Sequence, residues 1–509
     1  MIEENILKWL ELGDAIQKVD VYNRKYTLFL FKVNYLLSKH VNFSIYFHII
    51  IILLFFGQIW ELNLASIQIE NDSILEIIKN FEKIFLYPKI ITNKTSFRIG
   101  LNLAFFFCIF ALILESLNSL VIFLKNKYRL LISINSIFNI IIVYYIHGPL
   151  LQILLYIFLC RDHKHIYLEV KCSINNYYFI SIIIICLIFL FLLIFVNILF
   201  SLYINDIGSI NGSNVKSKIN CNYTTIIIII KLIFFILEFY ANFLGRKNKF
   251  VLLIYQLIFL ISNFFISIYV YKEVYYYNKV INILHHYGWY YSTWFSLCIL
   301  LKTLVNLKNS TLFVLFGLFF ITYGFYYNNK YREFKLITEL NILQGNSLKD
   351  IEEYNDLLIT LSKNHNHESK TLIAGVIKRF EEFLATNVEL NESYHKLLND
   401  KHLQKKFSSF NELKILSIIS IIYDYNIEKS KDCTDVTLSK CYFLINKCKN
   451  PAMAIWFCTK IKMCTHVQAY YKYSLMEEIK EYLIGKLVKT NNVVSLKNVQ
   501  ISSVILYNQ

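Results

Sequence analysis

Charged residues are scarce in this chain of 509 residues, and their scarcity excludes an ordinary soluble protein. They make up 17% of the sequence and hydrophobic residues 56%, whereas soluble domains usually carry about 25% charged residues. A helix that crosses a bilayer needs about 20 mostly apolar residues in a row. Eight stretches meet that rule: 43–62, 99–124, 130–158, 177–203, 224–244, 250–271, 289–306 and 310–327. The sequence therefore predicts an all-α fold with a polytopic membrane helix bundle of about eight spans over residues 43–327.

Glycine and proline are also rare, at 13 and 3 residues. With so few glycines, close Gly-x-x-x-Gly contacts are excluded as the main way in which the helices pack. Bulky side chains and polar contacts between helices must therefore hold the bundle together. Pro149 stands in the middle of the third stretch, directly after His147 and Gly148. Proline removes a backbone hydrogen bond and clashes with the preceding turn, which predicts a bend. The bend makes His147 a candidate hinge or ligand contact, or it serves packing alone.

The first 42 residues show no pattern of a cleavable signal peptide, since a short apolar core and a small-residue cleavage site are missing. Apolar residues recur there at helical spacing instead, with Trp9 and Leu10 among them, and basic residues lie between them. This pattern predicts an amphipathic segment over 1–42. It is expected either to lie on the membrane surface or to pack on the bundle.

Basic residues give no clear orientation for the bundle, because the Lys and Arg of the loops are divided equally between the two sides. Orientation normally follows from an excess of Lys and Arg in the cytoplasmic loops. The C-terminal region is basic and shows no secretory feature, so both termini are expected in the cytoplasm. Cys160 and Cys172 then bracket a short loop on the outer side, where a disulfide is chemically possible but not required.

Two charged residues, Lys231 and Glu238, lie deep in the fifth apolar stretch. They are separated by roughly 10 Å along one helix face, at about 1.5 Å per residue, which is too far for direct pairing. A charge near the bilayer centre costs at least about 2.5 kcal/mol, so each needs a partner on another helix or a water-filled cavity. Glu115 and Lys302 are the candidate partners. The cluster is either a structural ion pair or a functional site, meaning an ion or proton path or a site for a polar headgroup.

Neither a catalytic nor a metal-binding motif stands out, so no enzyme activity, cofactor or metal is expected. The 11 cysteines include no Cys-x-x-Cys pair, and tetrahedral zinc sites usually draw two ligands from one tight turn. Those of the tail are interpreted as small buried apolar residues: Cys433, Cys441, Cys448, Cys458 and Cys464. The run from His285 to Tyr291 resembles the belt of aromatic residues that forms at headgroup depth.

A net charge of +16 does not predict a nucleic-acid partner here. Most of the excess lies in the membrane half of the chain, where basic residues near the spans contact lipid headgroups. Membrane lipids are therefore the expected partners of that half.

Residues 328–509 change character and show helical periodicity. The part from 328 to 408 is expected to be a helical linker region. Further on, Asn450 followed by Pro451 is a strong helix start, since asparagine caps a helix and proline suits its first position. Helices on both sides of that start resemble two tetratricopeptide-like pairs, which stack around a shared core and present a concave face. A tetratricopeptide-like helical tail over 409–509 that binds a partner protein is therefore expected.

The run from Ile421 to Ala454, together with Leu372-Ile-Ala-Gly375, resembles the segment that follows the spans in TmcB-like multi-span membrane proteins of protists. The shared order of an amphipathic N-terminus, many spans and a repeat segment extends the resemblance over most of the chain. In such proteins a His and two Cys follow the Leu-x-x-Gly element, whereas this chain has Phe380-Glu-Glu-Phe-Leu384 there. The resemblance implies a membrane protein of sensory type.

These patterns favour two functions. The first is a membrane-anchored sensor or scaffold whose cytoplasmic tail binds partner proteins, as the tail and the resemblance imply. The alternative is an ion channel or transporter that uses the buried charges of the fifth span. A lipid-modifying enzyme fits less well, since it needs an acid–base pair at one depth and His147 is the one histidine well placed. An oligomer would be compatible with each of these functions.

Overall fold

The computed structural model of this chain describes residues 31–32, 35, 45–64, 94–123, 134, 137–138, 141, 146–158, 160–161, 164–165, 168, 170–173, 175–203, 222–243, 249–273, 276, 278–305, 310–338, 348–363, 366–399, 404, 410–429, 434–448, 450–461 and 466–489. Most of the predicted amphipathic segment 1–42 lies outside these residues. The side chains of some helical positions, Glu115 among them, also lie outside the description.

Within the described residues, the regular elements are helices apart from one short hairpin, in agreement with the predicted all-α class. The helices are α1 (Ile45–Leu64), α2 (Lys94–Phe123), α3 (His147–Tyr156), α4 (Tyr177–Tyr203), α5 (Asn222–Phe243), α6 (Lys249–Glu273), α7 (Lys279–Val305), α8 (Ser310–Thr338), α9 (Leu348–Lys363), α10 (His367–Ala385), α11 (Val388–Leu398), α12 (Phe410–Lys429), α13 (Thr434–Asn446), α14 (Pro451–Lys460) and α15 (His466–Lys489). Strands β1 (Cys160–Arg161) and β2 (Lys164–His165) pair antiparallel, with Cys160 opposite His165.

The chain divides into two compact units. One comprises Val33–Tyr327 and is called the membrane unit below; the other joins Met1–Lys32 to Asn328–Gln509 and is called the tail unit. The membrane unit contains α1 to α7 and the beginning of α8, and the tail unit contains α9 to α15.

Three of the described helices are long and apolar enough to cross a membrane, over Ile45–Asn63, Tyr177–Ile194 and Phe250–Lys272. Large apolar side chains stay exposed on such helices; on α4, for example, Phe191 is 69% exposed and Ile188 53%. Exposed apolar surface of this kind marks a membrane contact or another apolar interface. The structure therefore supports membrane association, while the full number of eight spans stays a prediction.

Helix ends agree with the predicted stretches where the apolar run is uninterrupted. Helix α4 coincides with the predicted 177–203, but α7 begins at Lys279 rather than near residue 289. The early start follows from Asn278, whose Oδ1 accepts hydrogen bonds from the backbone N–H of Val280 at 3.1 Å and of Ile281 at 3.3 Å. An asparagine in that position caps a helix.

Buried polar contacts join α1, α6 and α7, as the low glycine content predicts. Trp60 Nε1 donates to Ser292 Oγ over 2.9 Å, and Asn63 Nδ2 donates to Ser296 Oγ over 2.8 Å. Asn263 Nδ2 of α6 donates to the same hydroxyl over 2.9 Å. Because both pairs between α1 and α7 advance in the same direction along the two helices, these helices run parallel.

Helix α3 begins at His147, two residues before Pro149, and Ile146 immediately before it is π-helical. Both a π-helical turn and a proline bend helices. Residues 142–145 lie outside the described part of the chain, so the bend at Pro149 stays a prediction.

The loop that follows α3 is closed by a disulfide between Cys160 and Cys172, whose Cα atoms are 6.3 Å apart. His165 ties the same loop to α3. Its Nδ1 accepts from the backbone N–H of Leu168 at 2.9 Å, so Nε2 carries the proton and donates to the Tyr156 carbonyl oxygen over 3.1 Å. Burial lowers the pKa of His165, which keeps the ring neutral in this arrangement.

The tail unit has a helical core of its own. Helices α9 and α11 both pack on α12, and α13 packs on α14 and α15. The predicted start at Asn450–Pro451 is confirmed, because the Asn450 side chain accepts from the Met453 N–H at 3.2 Å and α14 begins at Pro451. Phe31 of the N-terminal segment is buried in this unit, its ring centroid 5.1 Å from that of Tyr470.

The tail cysteines that the structure describes are confirmed as buried residues on or directly after helices. They are Cys441, Cys448 and Cys458. The Sγ atoms of Cys441 and Cys458 are 3.6 Å apart as free thiols. Burial raises the pKa of the Cys441 thiol well above its usual range.

Candidate polar site of the membrane unit

A polar site lies between α1, α3 and α5, surrounded by the apolar core of the membrane unit. Two charged side chains of the site, Lys231 and Glu238, belong to α5, and each is 2% exposed; on α1, the carboxylate of Glu61 is also fully buried, one turn after Gln58. Seven residues apart, Lys231 and Glu238 occupy one face of α5. The site therefore has two levels, one at each of these two charges.

At the first level, Lys231 Nζ donates a hydrogen bond to Gln58 Oε1 of α1. The Phe55 ring lies on the same helix, its centroid 5.0 Å from Nζ. An aromatic face at that distance attracts a cation, and the more so when both groups are out of water. An amide oxygen and a ring of α1 thus lie against the Lys231 side chain.

Helix α3 reaches this level through Gly148. A Cβ built on Gly148 would lie 2.6 Å from the Phe235 ring and 3.4 Å from Gln58 Oε1. Any larger residue would therefore push α3 away from α1 and α5. Here the absence of a side chain is what lets three helices meet around Lys231.

His147, next to that glycine, is 1% exposed and lies in electrostatic range of Lys231. Within the described part of the chain, neither of its ring nitrogens has a hydrogen-bond partner. Burying a polar group without a partner costs about 1–3 kcal/mol. His147 is therefore a buried imidazole with its hydrogen-bonding capacity unused.

At the second level, Gln152 Nε2 of α3 donates to Glu238 Oε2. The Gln152 Oε1 atom has no hydrogen-bond partner among the described residues. Tyr255 of α6 lies in electrostatic range of Glu238 and donates its hydroxyl to the Leu62 carbonyl oxygen of α1 over 2.9 Å. Glu238 is thus held where α1, α3, α5 and α6 come together.

The structure brings three of the predicted site residues together: His147, Lys231 and Glu238. Lys302 lies in the last turn of α7 and is half-buried. Glu115 belongs to α2, and its side chain lies outside the described residues.

Two glutamines of the site, Gln58 and Gln152, were not predicted from the sequence. Both are fully buried, although each was visible as an amide inside an otherwise apolar run. Attention to neutral polar residues within the spans would have found them, because such groups hydrogen-bond across membrane helices.

The interpretation of the run from His285 to Tyr291 as a headgroup belt is wrong for the side chains that are buried inside the protein, whereas Tyr287 and Tyr290 are half-buried; the buried ones are His285, His286, Trp289 and Tyr291. Trp289 is 1% exposed and donates Nε1–H to the Tyr223 hydroxyl over 2.7 Å. The same hydroxyl hydrogen-bonds His285 Nδ1 at 3.1 Å, and the Tyr276 ring stacks on His285 with centroids 4.6 Å apart. Side chains that are buried among such partners do not contact lipid headgroups.

The polar site thus combines an ammonium, a carboxylate and an unpaired imidazole. Elsewhere in the described part of the chain, no group of three or more His, Cys, Asp or Glu side chains is placed to hold a metal ion. The chemistry that the site offers is the binding of ions or protons away from water.

Comparison with known proteins adds nothing to this geometry, since no protein-family model, curated protein or solved structure matches the chain.

Proposed function

We propose that this protein is an integral membrane protein that moves a proton or a small ion through the polar site of its membrane unit. The observation that carries the proposal is His147, a fully buried imidazole without a described hydrogen-bond partner beside the charged Lys231. Ionisable groups inside a membrane are costly and mark ion or proton pathways. A purely structural role would require each of these groups to be satisfied by its neighbours.

An eight-span bundle is part of the proposal, and the helix directions support it. Gln58 of α1 meets Lys231 of α5, and further along both helices Leu62 and Glu238 meet around Tyr255. The two helices therefore run parallel, which requires an odd number of crossings between them. The three predicted stretches between α1 and α5 satisfy this requirement if each crosses once.

The disulfide supports the proposed orientation, which the basic residues left open. Disulfides form and persist in oxidising compartments, so the loop closed by Cys160 and Cys172 belongs on the outer side. Helix α3 runs parallel to α5 and hence to α1, since Gly148 lies at Phe235 and Gln152 at Glu238, and α3 leads directly into that loop. The chain before α1, and with an even number of spans also the tail, then lies in the cytoplasm. Reduced thiols at Cys441 and Cys458 suit that compartment.

Thiol labelling tests this orientation. In Cys160→Ser, the released Cys172 thiol should react in intact cells with a maleimide that cannot cross the membrane, well above the wild-type background. A cysteine introduced at Lys378, an exposed position of α10, should react only after the membrane is permeabilised. Reversed labelling at the two positions would show that the tail lies outside.

Flux through reconstituted protein tests the proposed function. Wild-type proteoliposomes should pass an ion or protons, and Lys231→Met and Glu238→Gln should each reduce the flux. Losing a hydrogen bond to a charged group costs about 1.5–3 kcal/mol, so the reduction should be about tenfold or more. Lys272→Met removes an exposed lysine from the last turn of α6 and is the matched control. A folded wild-type protein that passes neither ions nor protons would rule out transport.

The second candidate function is a membrane-anchored sensor or scaffold with a partner-binding tail. It is favoured by the division of the chain into two compact units and by large apolar side chains on the surface of α14, where Trp456 is 45% exposed and Met453 40%. The tetratricopeptide-like tail and the likeness to TmcB-like proteins belong to this proposal. Silent proteoliposomes, together with a defined partner whose capture is lost in Trp456→Ala, would favour it over transport.

A further inference from the structure

We infer that the exposed side of α14 is a docking surface for an anionic lipid bilayer, through which the tail unit itself contacts the membrane. Three residues define this surface, called the α14 face below: Met453, Trp456 and Lys460. They follow one another at spacings of three and four residues, so they lie on one side of the helix. Met453 is 40% exposed and Trp456 45%, and Lys460 is exposed as well.

The sequence around α14 carries charge of one sign only. Residues 436–476 include six lysines and neither aspartate nor glutamate. Two of the six, Lys440 and Lys472, are buried. The other four form one Lys-x-Lys pair before α14 begins and a second where it ends, Lys447 with Lys449 and Lys460 with Lys462. A segment with this charge attracts anions and brings no carboxylate of its own to repel them.

The described positions put the charge and the apolar surface side by side. Lys460 Nζ lies 3.5 Å from the centroid of the Trp456 ring, and Lys447, directly after α13, is exposed. An indole favours headgroup depth because one end is apolar and the other polar. Lysines at that depth are attracted by anionic lipids. The α14 face therefore offers both groups that a lipid surface binds.

A bilayer suits the α14 face better than a partner protein does. Protein interfaces are depleted in lysine relative to the rest of the surface, and a bilayer requires no complementary shape. The tail unit is also joined to the membrane unit by the chain itself, and tethering of this kind lets a weak contact form. The cytoplasmic leaflet, on the side proposed for the tail, is the one that carries anionic lipids.

The experiment uses the full-length protein in lipid nanodiscs, with Met453→Cys carrying a fluorophore that brightens when it leaves water. Emission should rise when phosphatidylserine is added to phosphatidylcholine discs, and the rise should shrink as salt screens the charges. The same fluorophore on Glu389→Cys, an exposed position of α11, should not respond to the lipid. Wild-type protein treated with the same reagent gives the background of the native cysteines.

Replacing the exposed lysines tests the charge. Lys447→Gln combined with Lys460→Gln should lower the ratio of docked to undocked tail by about 25-fold, since one lysine near an anionic surface contributes about fivefold. The matched control, Lys378→Gln combined with Lys396→Gln, removes two exposed lysines from α10 and α11 and should leave the ratio unchanged. An equal loss in both pairs would overturn the assignment to the α14 face.

The inference is independent of the proposed transport, which flux measurements decide. Equal emission of the Met453→Cys label in discs with and without phosphatidylserine would overturn the lipid contact and leave the α14 face to a partner protein. Soluble glycerophosphoserine, added to phosphatidylcholine discs, should not raise the emission. A rise in that case would show headgroup binding away from the bilayer and would also overturn the membrane contact.

Discussion

Gly288→Ala is expected to destabilise the membrane unit by about 3 kcal/mol, at the upper end of what overpacking usually costs. Gly288 lies in α7, where a Cβ would overlap the Phe56 ring of α1 well inside van der Waals contact. Phe56 is 2% exposed and in contact with other rings, among them Trp289 at 5.4 Å and His285 at 6.1 Å between centroids. Because the ring is surrounded, neither it nor the helix can move aside cheaply.

The measurement is the Tm of the purified protein in detergent. Gly324→Ala is the matched control, since a Cβ on Gly324 of α8 meets nothing within 4 Å. Phe56→Leu should restore part of the stability in the Gly288→Ala background, because the smaller side chain leaves room for the added methyl group; such non-additivity measures direct contact. A Tm for Gly288→Ala equal to that of the control would contradict the packing described for α1 and α7.

Glu352→Gln is expected to stabilise the tail unit above neutral pH and to remove a pH dependence. Glu352 of α9 is 6% exposed and accepts the Tyr423 hydroxyl of α12 over 2.5 Å. Burial is the largest cause that raises the pKa of this carboxyl to about 7, from 4.5 in an unfolded chain. Glutamine cannot ionise, but its carbonyl oxygen can still accept from Tyr423.

The sign of this pH dependence follows from the number of protons bound in the folded and unfolded states. Between pH 4.5 and about 7, the folded tail retains a proton that the unfolded chain has released. The free energy of unfolding therefore falls as the pH rises through this window and levels off above it. The total loss is about 3 kcal/mol, taking about 1.4 kcal/mol per pKa unit.

Hydrogen exchange of the α9 and α12 backbone amides in the full chain measures this effect. Rates corrected for intrinsic exchange should show declining protection from pH 5 to pH 7 in the wild type, beyond any slope shared with the variant. Glu389→Gln, at an exposed position of α11, should behave as the wild type does. The same decline in Glu352→Gln would show that another group is responsible.

Helix positions were predictable where the cause is local. The 177–203 stretch is uniformly apolar, and its helix has the predicted bounds. The start of α7 was missed because Lys279 to Tyr287 contains polar and aromatic residues that hydropathy counts against a span. His285 and His286 of this segment are buried, and the Tyr223 hydroxyl that hydrogen-bonds His285 comes from another helix, α5. A hydropathy average over neighbouring residues does not detect contacts between distant parts of the chain.

The polar site was predictable in its charges but not in its partners. Lys231 and Glu238 stood out because charge inside an apolar run is rare. Gln58 and Gln152 were overlooked because an amide in the same position carries no charge, and a sequence does not say which helices are neighbours. The pairing of Cys160 with Cys172 was left open for the same reason, since it depends on how the loop folds back, with His165 opposite Cys160 and the His165 backbone N–H donating to the Val170 carbonyl oxygen.

Extraction into detergent places the disulfide at Cys160 and the thiol pair at Cys441 and Cys458 in one solution. The disulfide needs oxidising conditions there, whereas the thiols need reducing ones. A reductant added to protect the thiols would open the loop after α3. Without it, the two thiols, 3.6 Å apart in the folded tail, can oxidise when the tail opens. Folding protects them, because a buried thiol with a raised pKa forms little reactive thiolate. An oxidised Cys441–Cys458 pair in a stored sample would therefore record how many molecules had opened their tails.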